Sequence, residues 1–138
     1  MATEQSKGVS HAMNKLINLL NYLSTHPDAK LRCYASEMML HVHSDRSHAS
    51  AHEARSRAEG FFFLSNNPIQ PEHSKINGAI HVLCKMLKHA MTSAAECEIA
   101  SSFLNAQEKM TMQNTLIGLN RPQPPTPLQV GNTTAIVL

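Results

Sequence analysis

A stripe of apolar residues near the amino terminus is the first clear pattern in the chain. Its members recur at alternating intervals of four and three, which predicts an amphipathic helix. The stripe consists of Val9, Met13, Leu16, Leu20 and Leu23. The helix is expected to end at His26-Pro27, because the residue before a proline is disfavoured in the helical conformation. This stripe is typical of a core or docking surface, since the opposite face is not strongly basic as a membrane-surface helix would be.

Short apolar runs and period-two alternation predict strands in the middle of the chain. The predicted strands are 31–34, 39–45, 61–64 and 78–86. In the second of them Met39, His41, His43 and Asp45 would share one face, because alternate side chains of a strand point the same way. The polar stretch 46–60 predicts a loop, and 66–77 predicts a long connection.

A second, longer helix is predicted to begin at Ser93. Glu96 follows three residues later, and the two together form a capping-box pattern. The predicted apolar face consists of Ala95, Ile99, Phe103, Ala106 and Met110. The helix should end near Leu119, before a proline-rich stretch at 122–127. A short strand at 128–130 and the start of another helix at 132–135 complete the prediction.

Composition narrows the class of protein. The chain has 138 residues, so one domain, or one domain plus a flanking piece of another, is expected. The net charge of +2 does not indicate a dedicated polycationic nucleic-acid binder. The three cysteines are isolated, which predicts neither a disulfide framework nor a zinc ribbon and indicates an intracellular protein, cytoplasmic or nuclear. No apolar run is long enough for a membrane span, so no membrane partner is expected.

Five short motifs follow one another along the chain, at 18–29, 44–47, 54–64, 93–98 and 131–132. The first resembles the end of the reverse transcriptase in copia-type retrotransposon polyproteins, and the other four resemble the ribonuclease H domain that follows it there. The resemblance implies an α+β fold, a ribonuclease H-like mixed sheet with a preceding amphipathic helix and with the C-terminal strand and helix missing. It also implies that residues 1–30 are a reverse transcriptase remnant and that 31–138 are an incomplete ribonuclease H-like domain.

The resemblance also implies a catalytic site. Members of this family cut the RNA strand of RNA–DNA hybrids with two Mg²⁺ or Mn²⁺ ions held by carboxylates, because these ions prefer oxygen ligands. Asp45 matches the strand carboxylate and Glu98 the helix carboxylate, while Glu96 is occupied by its cap. The third acid aligns with Gly131, which offers no ligand, and a fourth would lie beyond Leu138. Weak cation binding and impaired or absent activity are therefore expected.

Other interpretations of the same residues remain open. Arg55 and Arg57 are candidate phosphate contacts, or solvent-facing loop arginines. His41, His43, His48 and His52 suggest zinc only weakly, because no second ligand cluster accompanies them. Cys97 is better explained by packing than by nucleophilic chemistry.

The expected partners are an RNA–DNA hybrid or other nucleic acid and, ancestrally, the adjoining reverse transcriptase. The alternative functions are a non-catalytic nucleic-acid-binding or interaction module and a functionless retroelement remnant.

Overall fold

The computed structural model describes residues 10–48, 55–66, 75–125 and 128–131. These residues contain two helices and four strands. The helices are α1 (Ser10–Thr25) and α2 (Ala94–Gly118), and the strands are β1 (Met39–Ser47), β2 (Arg57–Ser65), β3 (Ala79–Met86) and β4 (Leu128–Val130). The chain divides into two compact units, Met1–Leu31 and Arg32–Leu138.

The first unit contains α1, and the predicted helix is confirmed. It ends at Thr25, whose hydroxyl donates to the carbonyl oxygen of Tyr22 at 2.8 Å, just before His26 and Pro27. The described members of the predicted apolar stripe are exposed: Met13, Leu16, Leu20 and Leu23. Val9 lies outside the described residues. Assignment of residues 1–30 to a reverse transcriptase remnant stays a prediction.

The second unit is an α+β structure built on a mixed four-stranded sheet, which confirms the predicted fold class at that level. The strand order is β3-β2-β1-β4. β2 is antiparallel to both β1 and β3, whereas β4 is parallel to β1 with Val42 opposite Leu128. Because a parallel pair needs a long crossover, α2 lies between β3 and β4 in the chain and returns the backbone to the same end of the sheet.

The hydrophobic core lies between α2 and one face of the sheet. Its buried members are Val42, Ala58, Phe62, Leu83, Leu87 and Cys97. Four of these residues lie in strands: Val42, Ala58, Phe62 and Leu83. Because alternate side chains of a strand point the same way, all four point to the side of the sheet that α2 covers. Asp45 belongs to the opposite set of positions, and Arg46 to the set that faces α2.

The prediction of which face of α2 is buried was wrong. Ile99, Phe103 and Met110 are 47–62% exposed and point away from the sheet. The face that is buried carries Cys97, Glu98, Ser101, Asn105 and Leu116. Three of these five side chains are polar, and they are buried because the sheet supplies polar partners for them.

The segment 31–34 is not a strand, which corrects a second prediction. The backbone N–H of Tyr34 donates to the side-chain oxygen of Asn77 at 2.7 Å, and the Asn77 amide donates back to the Tyr34 carbonyl at 2.9 Å. A side chain thus provides the hydrogen bonds that a neighbouring strand would otherwise provide. Gly78 lets the two segments approach, because a β-carbon there would lie 2.5 Å from the sulfur of Cys33.

The predicted loop at 46–60 was too long. β1 continues to Ser47 and β2 begins at Arg57, with Ser47 paired to Arg57 and Asp45 paired to Glu59. Polar residues on the uncovered face of these strand ends made the sequence resemble a loop. Residues 49–54 lie outside the described part of the chain.

The other predicted elements agree with the structure where it describes them. The strands at 39–45, 61–64, 78–86 and 128–130 correspond to β1 to β4, and the second helix ends at Gly118. The helix predicted at 132–135 lies outside the described residues. Neither described helix is both long and apolar enough to span a membrane.

Candidate functional site

Asp45 lies near the carboxyl end of β1, in an exposed position. Its carboxylate oxygen Oδ1 accepts a hydrogen bond from the backbone N–H of Arg46 at 2.7 Å. Its backbone carbonyl accepts one from the hydroxyl of Ser101 on α2 at 2.5 Å. The strand at this point is therefore bonded directly to the helix that packs behind it.

A buried group of polar side chains continues this connection between α2 and the sheet. The amide of Asn105 donates to the hydroxyl of Ser44 at 2.8 Å and to the backbone carbonyl of Glu59 at 2.9 Å. The hydroxyls of Ser44 and Ser101 are 3.4 Å apart. Because hydrogen bonds are directional, these contacts fix the position of α2 along β1 more narrowly than apolar packing alone.

The start of α2 separates the roles of its two glutamates. The hydroxyl of Ser93 accepts the backbone N–H of Glu96 at 3.1 Å, as the predicted cap requires. The Glu96 carboxylate reaches back to Thr92, accepting its backbone N–H at 2.7 Å and its hydroxyl at 2.8 Å. These bonds to the charged form lower the pKa of Glu96. Glu96 is thus engaged at the cap, as predicted, and is not part of the site.

Glu98 is buried, with a side chain only 2% exposed, so it is not a solvated helix residue. Its carboxylate is also engaged by a neighbouring side chain. Its Oε2 atom lies 2.9 Å from Nε of Arg46, which forms an ion pair with it. Its other oxygen, Oε1, is buried without a hydrogen-bond partner among the described residues. A buried carboxylate oxygen without a donor is costly, so this atom marks a position suited to a ligand.

One pocket of about 510 Å³ brings the three predicted positions together. It is lined by His43, Ser44, Asp45, Arg46, Glu98, Gln129, Val130 and Gly131. A β-carbon built at Gly131 would have a single close neighbour, Oδ1 of Asp45 at 3.9 Å. The pairing of β4 with β1 causes this proximity, because Ser44 lies opposite Val130 in the parallel register. A side chain at position 131 would therefore have room beside Asp45.

The two candidate phosphate-binding arginines lie elsewhere. Arg57 starts β2 opposite Ser47, and Arg55 precedes it with Nη1 3.9 Å from the sulfur of Met86. Neither lines the pocket. Arg57 lies beside Ser47, the last residue of β1, so it is near the strand end that carries Asp45 without being part of the pocket lining.

The histidines suggested for zinc do not converge. His41 is buried and donates from Nε2 to the carbonyl oxygen of Asn66 at 3.0 Å, with its ring stacked on Phe63. Burial lowers the pKa of His41, and the bond to Asn66 opposes that effect only in part. His43 lines the pocket, whereas Nε2 of His48 lies 3.4 Å from the backbone oxygen of Met91. His52 lies outside the described residues.

Cys97 is fully buried in the core, so its environment is that of a packing residue. Cys33 and Cys84 are exposed, and all three thiols are free. The location of Cys97 offers a small molecule no access to its sulfur. The packing interpretation therefore fits this residue better than nucleophilic chemistry.

A two-cation centre does not fit the residues as they stand. Within the described ranges, no group of three or more His, Cys, Asp or Glu side chains could hold a metal ion. Asp45 and Oε1 of Glu98 offer oxygen atoms of the kind that Mg²⁺ prefers, but Gly131 offers none. Arg46 brings a permanent positive charge to the same pocket. The pocket brings the three predicted positions together but lacks the carboxylates that a two-cation site needs.

Sequence reasoning missed four residues of this region: Ser44, Arg46, Ser101 and Asn105. The signal for the last two was present, because Glu98, Ser101 and Asn105 are spaced by three and four and must share one helix face. Arg46 was overlooked because it is next to Asp45 in sequence and therefore on the other face of the strand. That face is the one that meets Glu98.

Comparisons of the chain with protein-family models, with curated proteins and with solved structures find no match.

Proposed function

We propose that the unit Arg32–Leu138 is a ribonuclease H-like domain derived from a copia-type retroelement. Its ancestral activity is cleavage of the RNA strand of RNA–DNA hybrids, and its present site is impaired. One observation carries the proposal: Asp45 from β1, Glu98 from α2 and Gly131 after β4 line a single pocket. The motif resemblance requires these three distant positions to meet.

The topology supports the same assignment. An antiparallel β1-β2-β3 meander is followed by a crossover helix and by a fourth strand that pairs in parallel with β1. Such an arrangement brings the carboxyl ends of β1 and β4 to the same edge of the sheet as the first turns of α2. It is compatible with a ribonuclease H-like fold.

The proposed substrate follows from the motif resemblance, and the carboxylates of the site are compatible with it. Phosphodiester cleavage by two Mg²⁺ or Mn²⁺ ions needs several converging carboxylates, and two of the positions here still carry them. The expected partner is an RNA–DNA hybrid, and ancestrally the reverse transcriptase of the same polyprotein. The cellular compartment proposed for it is the cytoplasm or the nucleus.

The proposal is tested by rebuilding the missing acid. The purified chain, Gly131→Asp and Gly131→Asp/Arg46→Gln are incubated with a hybrid labelled on its RNA strand, in Mn²⁺ or Mg²⁺. We expect negligible cleavage by the parent chain and metal-dependent cleavage by at least one of the rebuilt variants. Adding Asp45→Asn should abolish that cleavage, which excludes a contaminating nuclease. Absence of cleavage by both rebuilt variants would contradict catalytic ancestry for this pocket.

A second candidate function is a non-catalytic nucleic-acid-binding module. The observation that favours it is the ion pair in which the guanidinium of Arg46 neutralises the buried carboxylate of Glu98. Such a module should bind hybrid duplex without cutting it, with an affinity that falls steeply as salt rises. Binding by the parent chain that is insensitive to salt would argue against this candidate.

A further inference from the structure

We infer that Arg46 takes the place of a divalent cation in this pocket and so opposes metal binding there. The inference rests on the proposed function in one respect, that the pocket is a former cation site. It goes further because it names a second obstacle to metal binding, in addition to the missing acid at position 131. Arg46 therefore determines whether the pocket accepts a divalent cation.

The geometry of the ion pair carries the first step. Nε of Arg46 lies 2.9 Å from Oε2 of Glu98, a distance typical of a charge-assisted hydrogen bond. The Glu98 side chain is 2% exposed and that of Arg46 is 20% exposed. A carboxylate so deeply buried requires a positive partner to remain charged, and the guanidinium meets that requirement without any bound ion.

Competition with a cation is the second step. A divalent ion bound to Oε2 would have to displace Nε of Arg46, and one bound to Oε1 would lie within a few ångströms of the guanidinium. In this partly enclosed pocket, repulsion between the two positive centres is weakly screened. Arginine cannot relieve that repulsion by losing its proton, because it stays charged at all ordinary pH values.

The position of Arg46 on the strand is the third step. Because successive side chains of β1 alternate, Asp45 and Arg46 point to opposite faces, and Arg46 points to α2. The ion pair therefore joins strand and helix at the pocket itself, which Arg46 and Glu98 both line. An uncharged residue at position 46 would leave both Glu98 oxygens available to a cation.

Mn²⁺ binding measures this effect directly, without relying on activity. We propose to follow free Mn²⁺ by electron paramagnetic resonance in titrations of Gly131→Asp and of Gly131→Asp/Arg46→Gln. Removal of the guanidinium should tighten binding by about tenfold or more, since a full charge close to the ion is lost. Gly131→Asp/Arg46→Lys retains the charge and should bind no more tightly than Gly131→Asp.

A matched control removes an arginine elsewhere. Arg121 is exposed and does not line the pocket, so Gly131→Asp/Arg121→Gln has the same net charge as the test variant. Its Mn²⁺ affinity should equal that of Gly131→Asp, because charges separated by solvent are screened. Thermal melts with and without Mn²⁺ provide a second measurement if Arg46→Gln weakens the fold. Mn²⁺ should then raise the melting temperature most in Gly131→Asp/Arg46→Gln.

The outcomes separate the inference from the proposed function. Binding by Gly131→Asp that Asp45→Asn abolishes, and that Arg46→Gln does not change, would overturn the inference and leave the proposed function standing. No Asp45-dependent binding in Gly131→Asp/Arg46→Gln would overturn both. Tighter, Asp45-dependent binding on removal of the guanidinium supports both.

Discussion

The backbone of Gly60 and the side chain of Asn105 are in direct contact. A β-carbon at position 60 would overlap the Asn105 side-chain oxygen. Asn105 is fully buried, and its amide bonds to Ser44 and to the carbonyl of Glu59. A glycine in β2 thus lets α2 approach the sheet closely enough for these bonds. The same approach brings Glu98 to Arg46.

Gly60→Ala should lower the free energy of unfolding by about 1–3 kcal/mol, because the added methyl group must displace Asn105 or the helix. Gly118→Ala is the matched control. Position 118 lies in α2, and a β-carbon there would meet no atom within 4 Å apart from the adjacent backbone of the helix itself. Alanine at this position should be neutral or stabilise by up to about 1 kcal/mol. Urea unfolding of the two variants gives the comparison. Equal effects would show that α2 does not approach β2 through position 60.

Hydrophobic periodicity predicted where α2 begins and ends but not which of its faces is buried. The apolar residues Ile99 and Phe103 form a regular stripe, and the rule that such stripes face a core selected them. The face against the sheet instead combines Cys97 with Ser101 and Asn105. Their burial depends on hydrogen-bond partners in β1 and β2, and a helix sequence alone carries no information about those partners.

Two truncations on α2 test this assignment of faces. Leu116→Ala removes a side chain that is 8% exposed and should destabilise by about 2–4 kcal/mol. Phe103→Ala removes a larger side chain that is 62% exposed and should cost less than about 1 kcal/mol. Thermal or urea unfolding ranks the two variants. The reverse order would mean that the apolar stripe, and not the polar face, packs against the sheet.

The three site positions were predictable because each belongs to a short motif at a strand end or helix start. The resemblance of these motifs to those of ribonuclease H domains implied that Asp45, Glu98 and position 131 lie close together. The ion pair between Arg46 and Glu98 was not predictable in this way. It depends on which β1 face meets α2, and that is fixed by packing between residues far apart in sequence. Local sequence patterns can indicate candidate site residues, but they do not show which distant side chains neutralise the charges of those residues.

His41 predicts a pH dependence of stability. Burial lowers its pKa in the folded chain, so between the folded and unfolded values the unfolded chain binds more protons. The contribution of His41 is therefore fully present above about pH 6.5 and is lost as the pH falls through the folded pKa. His41→Gln keeps a donor for the Asn66 carbonyl but cannot titrate. When the pH falls from 7 to 5, the free energy of unfolding of His41→Gln should decrease less than that of the parent chain. Urea titrations at the two pH values measure this difference. An identical loss would contradict the assignment.

Gln123 provides the last test, because its side chain bonds to β1 in the manner of a neighbouring strand. Its Oε1 accepts the N–H of Leu40 at 2.9 Å, and its Nε2 donates to the carbonyl of Met38 at 3.0 Å. Leu40 is 1% exposed, so its amide is shielded from solvent while Gln123 is in place. Gln123→Ala should therefore destabilise by about 1–3 kcal/mol. Hydrogen exchange at the Leu40 amide should accelerate more than exchange elsewhere in β1. Gln107→Ala, at an exposed helix position, should change stability by less than about 0.5 kcal/mol. Unchanged protection of Leu40 in Gln123→Ala would show that the side chain is not its hydrogen-bond acceptor.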